Sequence, residues 1–518
     1  MPNNKKIALY FFYAGLCGLS ISISVSKFGT SLGMILLSFA WFLEWNWKEK
    51  IFLFKKNKLI LLLSISLFLI FVLGLLHSQN IDYAMNDLKI KAPIMILPVI
   101  FGLSNITLDR NKIMGVLILF SASAVIASII GFISYQIELN QGVVLDLRSM
   151  SPFISLIRLS LILCFGYGFS LWGISVLNSK FKWILLLFII WIIYFFIVSQ
   201  SLTGIVLLPV ISIYFLFFVL KKDLKLAISL CVIILGLLTR IGIEIKEIST
   251  LVLSSKDLKI KKTTLNGRKY EHALDVPFRE NGHLIYDNYC EKEMRQEWNK
   301  ISAKKYDHPC KGFNYSAVLI RYLSSRGLGK DSVGVSKLSQ LEIDAIQNGV
   351  TNVYYINRNP LFKRIHIGFM EVMDAYQFKR YSGRSIASRF IYAATGYQIF
   401  KDNFWFGVGT GDVKDAFVEQ YKKNRLFQKY CDKRSHNQFI TIALSEGLFG
   451  IVLFVGCLVL LYKRYMGSLN YLFILGQTIL LISMLWEDTL ETQAGVAIFS
   501  LLLNLFLFET KSKNPIPS

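Results

Sequence analysis

Apolar runs of membrane-spanning length recur along this chain and are interrupted once, by the polar stretch 242–436. The runs lie at about 8–26, 30–45, 59–77, 91–104, 112–137, 153–178, 182–199, 202–220 and 223–241. Three more follow the polar stretch, at about 437–462, 469–486 and 490–508. A helix rises 1.5 Å per residue, so about 20 apolar residues cross the roughly 30 Å hydrocarbon layer. The pattern predicts an all-α polytopic membrane protein with about 12 transmembrane helices. One large extracytoplasmic loop domain precedes the last three. The expected divisions are a transmembrane bundle of about nine helices over 1–241, the loop domain with interfacial helices over 242–436, and C-terminal helices with a cytoplasmic tail over 437–518. The 91–104 run is short and carries Pro93 and Pro98. A hydrophobic content of 54% and a mean hydropathy of +0.48 speak against an ordinary soluble protein.

Basic residues set the expected orientation. With a cytoplasmic N-terminus, inner loops carry Lys48, Lys50, Lys55, Lys56 and Lys58, and later Lys463 and Arg464. The short outer loops carry Asp82, Asp87, Asp146, Glu487, Asp488 and Glu491. This alternation places both termini in the cytoplasm and 242–436 outside. Lys5 and Lys6 before an apolar run mimic a signal peptide, but no small-residue cleavage site follows, so the run reads as an uncleaved first helix. The net charge is +23, and the polar stretch alone carries about +12. On a membrane protein such charge points to anionic lipid headgroups or an anionic ligand. No basic patch has nucleic-acid motif spacing, so no nucleic-acid partner is expected. The seven cysteines form no CxxC pair and no metal-ligand spacing with histidine. Cys290 and Cys310 could pair in an oxidising compartment, which would leave Cys431 over.

Candidate chemistry gathers between Ser382 and Gly450. Arg384 and Arg389 open this stretch. Guanidinium is a planar fork of donors, charged at every relevant pH, and clamps phosphate oxygens in pairs. The alternative is that both arginines snorkel to headgroups. Apolar spacing over 389–401 predicts an amphipathic helix on the membrane surface, with Phe390, Ala394 and Tyr397 on one face. The run Gly407-Val408-Gly409-Thr410-Gly411 reads as a sharp turn, since neither a preceding strand nor a following Lys-Ser/Thr makes it a phosphate loop. Asp412 reads as a helix cap. Arg434, His436 and Asn437 sit where an apolar helix begins. A neutral imidazole there can take a proton from a sugar hydroxyl. Asn437 orients a sugar or caps the helix. Arg158 lies about one and a half turns into a predicted span, where a charge faces a cavity or snorkels outward. The acidic turn Glu487, Asp488, Glu491 is expected to face water.

The runs RFIYAATGYQIFKDNFWFGVGTGD and HNQFITIALSEGLFG resemble the signature of the bacterial O-antigen ligase and polymerase superfamily. That signature is an arginine opening an amphipathic helix, a GVG-type turn, then His-Asn opening a transmembrane helix with Glu-Gly-Leu-x-Gly. The layout with one large outer loop resembles the family too. The resemblance implies a glycosyltransferase of the bacterial inner membrane, with the loop in the periplasm. Its donor would be an undecaprenyl-pyrophosphate-linked glycan. Its acceptor would be lipid A-core in a ligase, or another lipid-linked repeat unit in a polymerase. It implies catalysis without metal or other cofactor, and direct displacement would invert the anomeric centre. His436 would be the general base and Arg389 the helix arginine, with Arg434, Arg384, Arg158 and Asn437 on the pyrophosphate or glycan. Two departures stand out: Tyr392 where relatives often have tryptophan, and Leu202 where many have an arginine in a Ser-Arg-Thr-Gly turn. A lipid transporter fits less well, because inverted repeats and deep charges are lacking.

Overall fold

A computed structural model describes residues 3–508, except 45, 107–109, 142–145, 177–181, 221–223, 255–259, 277, 311–312, 379–385, 424–432 and 466–470. Arg384 and Cys431 therefore lie outside the described residues. The chain packs as two compact units, one of 1–234 with 388–518 and one of 235–387.

The first unit is helical. It holds α1 (Asn3–Ser22), α2 (Lys27–Leu43), α3 (Trp47–Leu73), α4 (Ile81–Lys91), α5 (Pro93–Gly102), α6 (Arg110–Asn140), α7 (Leu156–Val176), α8 (Lys182–Ser199), α9 (Leu202–Leu220) and the first part of α10 (Leu224–Leu253). Local chemistry starts several of these helices. Ser26 Oγ accepts from Gly29 N at 3.0 Å at the head of α2, and Asn80 Oδ1 accepts from Tyr83 N at 3.1 Å at the head of α4. Each satisfies an N–H that the helix itself cannot. Among the described residues, seven helices are long and apolar enough to cross a membrane. They include α3, α6, α7, α8, α9, the apolar part of α10, and the later α18 (Gln438–Tyr465). The helices α2, α19 (Tyr471–Met484) and α20 (Gln493–Leu507) are apolar but shorter. The 91–104 run yields only the ten-residue α5, about 15 Å long, half a bilayer core.

Lipid tails are as apolar as leucine, so these helices associate through close packing rather than expulsion of water. Phe12, Leu16, Phe120, Phe165, Trp172, Phe195 and Phe196 fill the centre, all 1% exposed or less. Gly33 lets α2 approach α1, because a Cβ there would sit 2.8 Å from Leu19 N. The large apolar side chains left outside, such as Trp183, Leu187 and Phe217, suit a lipid surround.

The second unit continues α10 and holds α11 (Glu291–Ile301), α12 (Tyr315–Ser325), α13 (Ser332–Ser336), α14 (Gln340–Gln347) and α15 (Pro360–Phe378). It adds two antiparallel pairs, β1 (Arg279–Glu280) with β2 (His283–Leu284), and β3 (Pro309–Cys310) with β4 (Phe313–Asn314). Trp298, Tyr306, Leu319, Tyr322 and Ile346 form its core. Ser339 and Glu342 close a capping box on α14, inside the helical spacing expected over 337–349. Cys290 and Cys310 are buried and free.

The stretch after 388 returns to the first unit as α16 (Ala387–Asp402), α17 (Val413–Lys423), α18, α19 and α20. Phe390 and Tyr397 on α16 are 65% and 53% exposed. The apolar face read from the sequence is thus uncovered by protein, as an interfacial helix requires.

Candidate active site

Three segments meet in the first unit: the first turn of α16, the start of α18, and the turn joining α19 to α20. Arg389 Nη2 donates to Glu487 Oε1 at 2.6 Å. The other carboxylate oxygen, Oε2, lies 3.6 Å from His436 Nδ1. One carboxylate therefore stands between a guanidinium and an imidazole. Burial pushes the Glu487 carboxyl up, but the His436 imidazole and the Arg389 guanidinium outweigh it and hold the group below the usual carboxylate range. A carboxylate facing Nδ1 orients the ring and leaves Nε2 as the nitrogen turned away from it. The ring also lies 5.2 Å from that of Tyr392, on the first turns of α16.

The backbone of His436 is held by hydrogen bonds. Its φ is 50°, a left-handed value rare outside glycine. Its N–H donates to Asp488 Oδ2 at 3.0 Å, and Thr441 Oγ1 donates to Asp488 Oδ1 at 2.7 Å. Asn437 is a cap: its Oδ1 accepts from Ile440 N at 3.0 Å, and its Nδ2 donates to Leu485 O at 2.7 Å. Both side-chain ends serve the architecture.

Arg434 lies beside this group. It donates to Glu491 Oε2 at 2.5 Å and to the Tyr83 hydroxyl. Glu491 Oε1 also meets Lys91 Nζ at 3.0 Å, and Lys91 Nζ meets Asp87 Oδ2 at 2.5 Å. Burial disfavours the Arg434 cation, yet Glu491 and Tyr83 raise its affinity for the proton above normal, so it stays charged. A cavity of about 10 Å³ sits among Tyr83, Asp87, Lys91, Arg434, Glu446 and Glu491. It has room for about one water.

The acidic turn does not face water. Glu487, Asp488 and Glu491 are 4%, 7% and 8% exposed. Their partners lie on α4, α16, α18 and the segment 434–436 just before α18. Carboxylates buried with partners of opposite charge avoid the cost of isolation. Tyr83, Asp87 and Lys91 were not singled out in the sequence. The one local signal was Asp87 and Lys91 at i,i+4 spacing on a short helix.

The glycine turn is not an anion cradle. Helix α18 breaks at Gly447, with φ 68° and ψ −169°, a combination essentially confined to glycine. The break frees backbone groups of both kinds: Val408 N donates to Leu444 O at 2.9 Å and Gly409 N to Ser445 O at 2.8 Å, while the helix's own Leu448 N donates to Phe404 O at 2.8 Å. Asp412 does not cap its own helix in these bonds. Its carboxylate accepts from Gln79 N and Asn80 N, both at 2.8 Å, and ties the turn to the head of α4. Thr410 Oγ1 lies 2.6 Å from Phe71 O and 2.9 Å from Glu446 Oε1. Glu446 also lines an apolar groove of about 290 Å³ with Ile70, Leu73, Phe406, Phe449 and Leu453.

Arg158 is not brought to this cluster's ion pairs. It sits on the first turn of α7, with Nη1 3.1 Å from Ser155 Oγ. Among the described residues, no group of three or more His, Cys, Asp or Glu side chains is arranged to hold a metal ion.

Residues 336–455 match the family model described as O-antigen ligase. The match covers less than a quarter of the chain but takes in Arg389, the glycine turn, Arg434, His436 and Glu446. No curated protein and no solved structure matches the chain.

Proposed function

From the premise that this chain carries an O-antigen ligase family domain, we propose that it is a membrane glycosyltransferase moving a glycan from undecaprenyl pyrophosphate to an acceptor hydroxyl, with lipid A-core as the acceptor. The family acts on lipid-linked glycans and polysaccharides, and the chain is a multi-pass membrane protein. The observation that carries the reading is the single Glu487 carboxylate held between Arg389 and His436.

His436 Nε2 takes the proton of the acceptor hydroxyl, and Glu487 stabilises the imidazolium that results. The acceptor oxygen forms a bond to the anomeric carbon while the bond from that carbon to the pyrophosphate oxygen breaks. The electron pair leaves with the pyrophosphate, and the centre inverts. Arg389 and Arg434 are partly exposed, at 29% and 28%. Their guanidinium edges counter the charge that grows on the leaving group. The turn Glu487–Glu491 fixes where those edges point. The apolar groove beside Glu446 suits the isoprenoid chain. In this reading the site faces the periplasm, and both termini lie in the cytoplasm.

The test is glycan transfer in liposomes. Purified protein is supplied with undecaprenyl-pyrophosphate glycan, lipid A-core and chelator, without nucleotide. Glycosylated lipid A-core, lost in Arg389→Ala and His436→Ala, is the expected result. A lengthened lipid-linked glycan with unmodified lipid A-core would make the protein a polymerase. Normal transfer by His436→Ala would overturn the base assignment.

A further inference from the structure

A further pocket also borders the acidic turn. A cleft of about 390 Å³ is lined by Lys27, Thr30, Ser155, Arg158, Glu491 and Gln493, with isoleucines at its edges. Lys27 and Arg158 come from different helices, and among the described residues neither pairs with a carboxylate. Arg158 is only half-buried and Lys27 is exposed. The one carboxylate in the lining, Glu491, is already committed: Oε1 faces Lys91 and Oε2 faces Arg434. The cleft therefore carries an excess of positive charge. Its lining also includes the first residues of α2, α7 and α20, each at least 15 residues long. Their positive dipole ends add to the side-chain charge.

We propose that this cleft is a second phosphoryl-binding site, distinct from the Arg389–His436 cluster, that holds the phosphate or pyrophosphate of a lipid-linked substrate. The proposal rests on the glycosyltransferase reading, because transfer between two lipids requires both to be held at one end of the bundle. Two phosphorylated headgroups brought close repel one another unless each meets its own cations. Lys27 and Arg158 supply one set, Arg389 and Arg434 the other. Glu491 lines both the small polar cavity and this cleft, so a single neutralised carboxylate borders the two sets. Ile23, Ile90 and Ile154 also line the cleft and offer apolar contact to the first units of a lipid chain.

The test measures equilibrium binding of farnesyl diphosphate to the full chain in detergent. Wild type is expected to bind two equivalents. Lys27→Ala with Arg158→Ala is expected to lose one of them, with affinity at that site falling at least tenfold, while Lys27→Arg retains both. Among the described residues neither side chain has a carboxylate partner to strand, so the double variant should fold, and circular dichroism checks that it does. Two undiminished equivalents in the double variant, or a single equivalent in wild type that the double variant retains, would overturn the second site. Competition separates the sources. Inorganic pyrophosphate competing as well as farnesyl diphosphate assigns the site to a free anion, and farnesyl diphosphate competing better assigns it to a lipid headgroup. Either supports a phosphoryl site. The liposome transfer assay keeps the two readings apart. Wild type without transfer removes the glycosyltransferase reading, whereas transfer by the double variant at wild-type lipid concentrations removes this inference alone.

Discussion

Replacing Glu491 with glutamine isolates the electrostatic anchor of the candidate site. The change keeps the size of the side chain and removes a charge that serves two cations, Lys91 at 3.0 Å and Arg434 at 2.5 Å. At an effective dielectric constant near 20, a pair at 3 Å attracts by about 5–6 kcal/mol. Desolvation of the buried partners cancels a large part, and removing one member of such a pair costs about 3–5 kcal/mol. Linkage gives a second route to the magnitude. Burial pushes the Glu491 carboxyl up, but Lys91 and then Arg434 outweigh it and bring it from 4.5 to about 2. A depressed carboxylate contributes stability above its unfolded value, and that contribution is lost as the pH falls from about 4.5 through about 2. The shift corresponds to about 3 kcal/mol at neutral pH. Unfolding in mixed micelles by SDS titration, followed by circular dichroism, should therefore show Glu491→Gln less stable than wild type by about 3 kcal/mol at pH 7. Below about pH 4 the gap should narrow, because wild type protonates the same group. A variant within about 1 kcal/mol of wild type at pH 7 would refute the claim that this carboxylate anchors the cluster.

The same pair of helices makes a prediction of opposite sign. Burial first, then Glu491, pushes the Asp87 carboxyl up to about 7 against the pull of Lys91. The folded state thus holds a proton that the unfolded chain has released, and stability should fall as the pH rises from about 4 to about 7. Asp87→Asn should flatten that decline in the same micelle titration. Glu487→Gln removes the charge that orients the imidazole, so turnover in the liposome assay should drop by about 10–100-fold. In a His436→Ala background the same change should cost less, because only the Glu487 contact to Arg389 remains to be lost. Gly447→Ala should be among the most damaging single changes. Its Cβ would lie 2.2 Å from Trp405 O, at a φ of 68° that alanine resists. A loss of more than about 2 kcal/mol is expected, seen as a loss of monodisperse protein on size-exclusion chromatography.

The helices were legible because their causes are local. Apolar length depends on residues within a few positions of one another, and so do the caps that the structure shows at Ser26 and Asn80. The grouping of Arg389, Arg434 and His436 was legible for a related reason: they flank one turn and one helix start, and a motif resemblance joined them. The acidic half of the site was not. Glu487 is 98 residues from Arg389, and Tyr83 is 351 residues from Arg434. Hydropathy and spacing carry no information about pairs so far apart, and an isolated acidic turn reads as a solvated one. Arg158 shows the same limit from the other side. Its depth in a span was visible, but only packing decided that it shares a cleft with Lys27 and Gln493 rather than joining the ion pairs at His436. The glycine turn was correctly read as a turn, yet its N–H groups have a use only because α18 breaks at Gly447 and offers them carbonyls. The sequence by itself determined that the chain is built of apolar helices and which cations and imidazole lie near a helix mouth, whereas of the about 12 spans expected the described residues hold seven helices long and apolar enough to cross a membrane. Tertiary structure alone decided which charges neutralise one another and which remain available to a ligand, because a charge's fate depends on its nearest partner in space.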